Sequence, residues 1–203
     1  MSRQADHPIN PLFTDRWSPR SFTGEPVPDA VLHSVLEAAR WAPSASNVQP
    51  WRFILARNGD ASWDKFTALL SGRNARWAHR ASALVLIVSE LELERRGERG
   101  PNHSHSFDAG ASWANFAHQA TLLGWHTHGI GGYDRALARE TLKVPKGFAL
   151  EALIALGRRA PIDTLDEDFH AAEHPNARRP LVETVFAGEF GIPALATFER
   201  EDA

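Results

Sequence analysis

The longest apolar run of the chain, residues 83–88, places the strongest constraint on the fold. It is far too short to cross a bilayer, which takes about 20 apolar residues in a helix. Its Val and Ile content and its length are typical of a buried strand. We therefore expect a soluble protein with a buried strand at residues 83–89.

Helical and strand-like segments surround this run without a regular repeat. Pro28 and Asp29 favour a helix start, and apolar residues at helical spacing follow them as far as Pro43. Further strands are predicted at 51–57, 148–157 and 181–186, further helices at 61–70, 107–124 and 134–143, and a glycine-rich turn at 129–132. The lack of strict strand–helix–strand alternation favours an α+β fold over a doubly wound sheet.

The composition excludes several kinds of chemistry. The 203 residues contain no cysteine, so disulfides, thiolate metal sites and cysteine nucleophiles are excluded, and redox chemistry requires a bound cofactor. The net charge of −3 gives no indication of nucleic-acid or membrane binding. Residues 1–10 lack the apolar core of a signal peptide, so we expect a cytoplasmic protein.

The first candidate motif contains two arginines and a serine within five residues, Arg16 to Arg20. In an extended segment alternate residues point the same way, so Arg16, Ser18 and Arg20 would share one side. Guanidinium groups pair with phosphate oxygens and a hydroxyl adds a donor, which predicts an anion site. By itself the motif is equally a solvated basic stretch beside a helix.

The second candidate motif is the loop between the first long helix and the strand at 51–57. It concentrates prolines and short polar side chains from Pro43 to Pro50. Such a loop is stiff and rich in hydrogen-bonding groups, which suits the binding of a polar heterocycle. By itself the loop is better explained as a connection built from ordinary turn residues.

Together, the two motifs resemble the FMN-dependent nitroreductase family. Arg-x-Ser-x-Arg-x-Phe begins at Arg16, and Pro-Ser-x-x-Asn-x-Gln-Pro-Trp-x-Phe begins at Pro43 after an intervening helix. Weaker landmarks follow in order, namely Asn74 with Trp77, the small-residue helix 107–124, the turn at 131–134 and the basic residues 178–179. The resemblance extends from Arg16 to Phe186.

The resemblance implies an α+β homodimer. Its central, mainly antiparallel sheet would be flanked by helices, and the C-terminal segment would extend onto the partner. In this numbering we expect a flexible arm at 1–12, an FMN-binding domain at 13–187 with a variable lid at 90–106, and a tail at 188–203.

The resemblance also implies a flavin site. Arg16, Ser18 and Arg20 would bind the FMN phosphate, ribityl chain and pyrimidine edge, and Arg178 and Arg179 would add charge at the phosphate. The remaining expected contacts are Trp17, Pro43, Ser44, Ala45, Ser46 and Asn47, with this loop coming from the other subunit, then Asn74 at the pyrimidine edge, and Gly131 and Gly132 near the reactive ring nitrogen.

The implied activity is hydride transfer from NADH or NADPH, through FMN, to a small electron-poor acceptor such as a nitroaromatic or a quinone. Turnover would be ping-pong, and no side chain need act as a nucleophile. Trp77 stands where some members have a lysine, and Gly131 where some have an acidic residue, which leaves the preference for NADH or NADPH open.

Two alternatives remain at this level. The same scaffold could bind flavin without catalysis. Alternatively, the pairs His103/His105 and His126/His128, with Asp108, could form the metal site of a hydrolase. Metal sites usually need a third ligand in fixed geometry, so packed or surface histidines are the commoner outcome.

Overall fold

A four-stranded antiparallel sheet with strand order β1-β2-β6-β5 organises the fold. The computed structural model describes residues 3–95 and 97–194. In chain order the elements are α1 (Leu12–Asp15), α2 (Asp29–Arg40), β1 (Trp51–Arg57), α3 (Trp63–Thr67), β2 (Ala83–Glu90), β3 (Glu92–Arg95), β4 (Glu98–Pro101), α4 (His105–Leu122), β5 (His126–Ile130), α5 (Arg135–Thr141), β6 (Phe148–Gly157) and α6 (Glu167–His170).

Strand β2 is buried on both faces, as its unbroken apolar sequence predicts. Leu84 and Leu86 point into one core, together with Phe22 and Trp77. The alternate residues, among them Val85, point into a second core beneath α2 and α4. The sheet therefore lies between two apolar layers, and the predicted α+β architecture with a flanked antiparallel sheet is confirmed.

Helices α2 and α4 pack closely on the second face. The small residues Ala109 and Ala120 of α4 are buried there, which allows close approach. Side-chain amides add to the contact: Asn115 Nδ2 donates to the Ala38 carbonyl at 3.1 Å, and Gln119 Nε2 donates to Ser34 Oγ at 3.0 Å.

Strands β1 and β5 stand at opposite ends of the strand order. Three inter-strand spacings separate them, which is about 14 Å. The sequence predicted β1 and β6 with their observed bounds, but only the end of β5 was noticed, as a glycine turn. Its five residues, His126–Ile130, include two histidines and a glycine and so lack a strand-like apolar pattern.

Two sequence predictions were wrong in detail. The strand predicted at 181–186 is instead a short 3-10 turn, Leu181–Glu183, followed by an irregular segment. The helix predicted at 61–70 is shorter, Trp63–Thr67.

The variable segment at 90–106 contains a hairpin of β3 and β4, where Arg99 pairs with Glu90 and Glu92 at the surface. Its charged, exposed character explains the missing periodicity.

Within residues 3–95 and 97–194, no helix has both the length and the apolar character needed to span a membrane. Residues 1–2 of the predicted arm and 195–203 of the predicted tail lie outside the described residues. The proposed division into arm, domain, lid and tail stays a prediction.

Candidate cofactor-binding site

The segment from Arg16 to Ser21 is extended and alternates as predicted. Three residues point into the protein, namely Trp17, Pro19 and Ser21. Arg16, Ser18 and Arg20 are half-buried and share the other side, and Arg16 Nη1 donates to Ser18 Oγ at 3.2 Å. The indole of Trp17 packs inward, so its side chain does not belong to the polar face.

A buried carboxylate holds this segment in place. Glu173, whose side chain is only 3% exposed, accepts hydrogen bonds from the backbone N–H groups of Arg20 and Ser21 at 2.8–3.0 Å. It also accepts one from Ser21 Oγ at 2.8 Å. The Arg20 guanidinium lies 3.7 Å from the same carboxylate. Sequence reasoning missed Glu173, which comes from a polar, irregular stretch without a recognisable motif.

Arg16 belongs to a cluster of positive charge. Arg3 Nη1 donates to the Arg16 carbonyl at 2.6 Å, and Arg178 lies close to both arginines. Burial, and then the charges of Arg3 and Arg178, lower the pKa of the Arg16 guanidinium. Among the described residues, no carboxylate forms an ion pair with any of the three. The structure thus brings together the predicted residues Arg16 and Arg178 and adds Arg3; Arg178 and Arg179 are both exposed.

His128 of β5 supports the segment from beneath. Its Nδ1 lies 3.0 Å from the Pro19 carbonyl, which can only accept, so Nδ1 carries the proton. Its ring packs on the buried indole of Trp77, with centroids 4.6 Å apart. Burial lowers the pKa of His128, and the nearby charge of Arg20 lowers it further, although the bond to Pro19 opposes the change.

Strand β5 leads directly into the glycine turn, which Asn74 fixes. Asn74 Nδ2 donates to the Gly132 carbonyl at 2.9 Å, and a Cβ on Gly132 would lie 3.1 Å from that nitrogen. A side chain at this position would crowd the Asn74 amide, so glycine favours the close approach. A Cβ on Gly131 would meet nothing within 4 Å. Asn74 and both glycines thus lie at the same edge of the sheet as the Arg16–Ser21 segment.

The loop from Pro43 to Asn47 lies elsewhere, before β1 at the opposite end of the sheet. Ala45 N–H donates to Asp108 Oδ2 at 3.1 Å, and Gln49 N–H donates to Ser44 Oγ at 3.0 Å. Ser46, Asn47 and Gln49 all have left-handed backbone angles, with φ of 53°, 54° and 48°. These are costly for such residues, so the two hydrogen bonds help to hold a strained loop. Within one chain it does not meet the β5 edge.

The histidine pairs do not form a metal site in the described part of the chain. No group of three His, Asp or Glu side chains there is arranged to hold a metal ion. His105 Nδ1 instead contacts Ser89 Oγ at 2.8 Å, and His128 is bonded to Pro19.

Comparison with known proteins supports the resemblance noted in the sequence. A model of the nitroreductase family matches residues 13–71, which include both motifs. A Thermus thermophilus protein named NADH dehydrogenase is 30% identical over 174 residues, which cover 70% of this chain and 82% of that protein.

Solved structures agree over nearly the whole chain. An oxidoreductase containing FMN superposes with a TM-score of 0.90 at 44% identity, over 94% of this chain and 96% of that one. A Desulfovibrio desulfuricans protein in complex with FMN superposes with a TM-score of 0.68 at 27% identity, over 90% and 99% of the two chains. These likenesses confirm the predicted fold class, and the chain belongs to the nitroreductase family of oxidoreductases.

Proposed function

We propose that the protein binds FMN along the β5 edge and serves as an NAD(P)H-dependent reductase of small electron-poor compounds such as nitroaromatics or quinones. The observation that carries this proposal is the cluster of Arg3, Arg16 and Arg178, which has no carboxylate partner among the described residues and lies at the same edge as the turn at Gly131 and Gly132. Relatives whose structures contain FMN support the choice of cofactor.

The donor set fits the phosphate end of a flavin nucleotide. Arg16 and Arg178 supply positive charge, and the Ser18 hydroxyl lies 3.2 Å from Arg16 Nη1. A phosphate is dianionic near neutral pH and accepts several hydrogen bonds, so it would neutralise charges that otherwise repel one another. The exposed Arg179 follows directly and would add to the same field.

The donor set also fits the ring end. Asn74 and the backbone at Gly132 offer amide groups, and the space over Gly131 is open in the protein. Arg20, steadied by Glu173, would stabilise negative charge on the pyrimidine side without reorganising. When bound, FMN would supply the hydride chemistry, accepting hydride from NADH or NADPH and giving it to the acceptor. Trp77 is fully buried beneath His128, so it cannot replace the lysine that some relatives have there.

We further propose that two copies of the chain complete each site. The loop from Pro43 to Asn47 lies across the sheet from the arginine cluster, and a second copy would supply it. Large apolar side chains on α4 and beside α2 support an interface: Phe107 is 83% exposed, Trp41 71% and Leu122 66%. Aromatic side chains are enriched at protein interfaces, so Phe107 and Trp41 are candidates for contact with a second copy.

Edge strand β1 gives a second reason to expect a partner. Among the described residues it pairs only with β2, and residues of β1 and α2 line an open groove of about 790 Å³. The segment after Pro180 contains exposed apolar residues, including Leu181 and Phe190, and we propose that it reaches the partner. A single cavity between the two copies would then receive donor and acceptor in turn, which is ping-pong turnover.

The direct test is flavin binding followed by reduction. FMN is titrated into apoprotein and followed by flavin fluorescence, and the loaded protein is then mixed anaerobically with NADH or NADPH, followed by a quinone or a nitroaromatic. We expect tight binding, bleaching of the flavin absorbance, and its return with the acceptor. Binding without bleaching would favour the non-catalytic alternative, and failure to bind FMN in excess would refute the proposal.

Site assignment requires a matched pair of variants. Arg16→Ala should weaken FMN binding at least tenfold, because a charge-assisted contact to phosphate is lost. Arg57→Ala, which removes an arginine bonded to Asp29, should leave FMN affinity unchanged. Equal affinities for the two variants would reject the position of the phosphate.

Removal of the residues after Pro180 tests the assembly. Light scattering should show a dimer for the full chain and a weaker dimer, with a higher dissociation constant, for the truncated chain. A truncated protein that stays dimeric at the same concentrations would contradict the role given to this segment.

A further inference from the structure

Arg3 connects two segments that lie far apart in the sequence. Its Nε donates to the Asn176 carbonyl at 2.8 Å. Its Nη1 donates to the carbonyls of Thr14, at 3.0 Å, and Arg16, at 2.6 Å. One half-buried guanidinium thus fastens the start of the Arg16–Ser21 segment to the stretch that carries Arg178.

Arg178 and Arg3 share an acceptor. Arg178 Nη1 donates to the same Asn176 carbonyl at 3.3 Å, so this nitrogen and Arg3 Nε are at most about 6 Å apart. Like charges at such a distance repel each other unless an anion lies between or beside them. Two guanidinium groups on one carbonyl are therefore an arrangement that favours a bound anion.

Part of the Arg3 guanidinium has no hydrogen-bond partner among the residues that the structure describes. Nε and Nη1 make all three of its hydrogen bonds, whereas Nη2 makes none within the described chain. No carboxylate among residues 3–95 and 97–194 pairs with it. Within residues 3–95 and 97–194 the two N–H donors of Nη2 therefore have no acceptor, while Nε and Nη1 hold the backbones that carry Arg16 and Arg178.

We propose that Arg3 is a positioning residue for the FMN phosphate, which holds the Arg16 and Arg178 backbones together and adds a third positive charge to their site. This inference rests on the proposed function. The sequence analysis placed Arg3 in a flexible arm, since no local pattern indicates its partners at positions 14, 16 and 176.

The prediction concerns the preference for FMN over riboflavin, which differ only in the phosphate. Dissociation constants for both ligands are measured on the full apoprotein by flavin fluorescence, for wild type, Arg3→Ala, Arg3→Lys and the control Arg57→Ala. We expect Arg3→Ala to lower the preference about tenfold, entirely through weaker FMN binding, with riboflavin affinity unchanged. Arg3→Lys should also lower it, because an ammonium group lacks the planar fork that reaches both segments. Arg57→Ala should match wild type.

Two outcomes would overturn the inference. If Arg3→Ala keeps the wild-type preference for FMN over riboflavin, Arg3 does not contribute to binding of the phosphate. An equal loss of affinity for FMN and riboflavin would show that Arg3 only supports the fold. If circular dichroism shows that Arg3→Ala does not fold, Arg3→Lys takes its place in the comparison.

A second readout separates this inference from the proposed function. Inorganic phosphate, added at constant ionic strength, should raise the melting temperature of the wild-type apoprotein and raise it less in Arg3→Ala. If the wild type binds neither flavin, yet phosphate still raises its melting temperature more than that of Arg3→Ala, only the flavin proposal is refuted. Equal phosphate shifts in the two proteins would refute the role of Arg3.

Discussion

Replacement of Glu173 is expected to destabilise the fold strongly, because this carboxylate is the acceptor for three donors of the Arg20–Ser21 backbone and side chain. Ser21 is only 1% exposed, so Glu173→Ala leaves its N–H and hydroxyl buried without partners, whereas water can reach the N–H of the more exposed Arg20. An unsatisfied buried donor costs about 1–3 kcal/mol. Two such donors predict a loss of about 2–6 kcal/mol in the free energy of unfolding.

Urea unfolding of the apoprotein, followed by circular dichroism, measures this loss. Glu25→Ala is the matched control, since Glu25 pairs with Arg158 at 3.3 Å on the surface. An exposed ion pair contributes about 0–1 kcal/mol. Glu173→Gln should fall between the two variants, because it keeps one acceptor oxygen but turns an amide donor toward N–H groups. A loss below about 1 kcal/mol for Glu173→Ala would refute the reasoning.

Three further predictions concern packing, pH and the open space at the glycine turn. Gly157→Ala should cost about 1–3 kcal/mol in urea unfolding, since its Cβ would lie 2.7 Å from a ring carbon of Phe22, whereas Gly147→Ala, which meets nothing within 4 Å, should be nearly neutral. Folding lowers the pKa of His128, so the unfolded chain binds more protons than the folded protein below about pH 6.5. The free energy of unfolding should therefore fall as pH decreases through that value. A His128→Gln variant whose free energy of unfolding falls as much between about pH 7.5 and 5.5 as that of the wild type would contradict this. Gly131→Ala should leave the urea midpoint unchanged yet weaken FMN binding, and equal FMN affinity in a fluorescence titration would show that the ring does not lie against this position.

Local sequence patterns predicted those elements whose structure does not depend on which particular residues they contact. Strand β1 follows from its β-favouring run, and β2 from an unbroken apolar run that is compatible with burial on both faces. The shared side of Arg16 and Ser18 follows from the two-residue period of extended backbone. A strand of this kind can pack against any apolar layer, and side chains alternate in any extended segment. A short stretch of sequence is therefore sufficient to predict these features.

The contacts that complete the candidate site were not predictable in this way. Glu173 meets Arg20 across 153 positions, and Arg3 meets Asn176 across 173. Each of these residues lies in a polar stretch with many similar groups, and only the tertiary structure determines which of them forms the contact. The loop at 43–47 was recognised as stiff and polar, but the left-handed angles of Ser46 and Asn47 depend on tertiary contacts such as that to Asp108.

The hydrogen bonds of Arg3 have a practical consequence for anyone who expresses this protein. Arg3 donates to carbonyls at positions 14, 16 and 176, so residues fused close ahead of it would lie beside the groups that it joins. If the proposed FMN site is correct, a purification tag there would crowd the phosphate and give pale preparations, which would be mistaken for a protein without affinity for flavin. Material for spectroscopy is therefore better produced with any tag removed or placed away from Arg3.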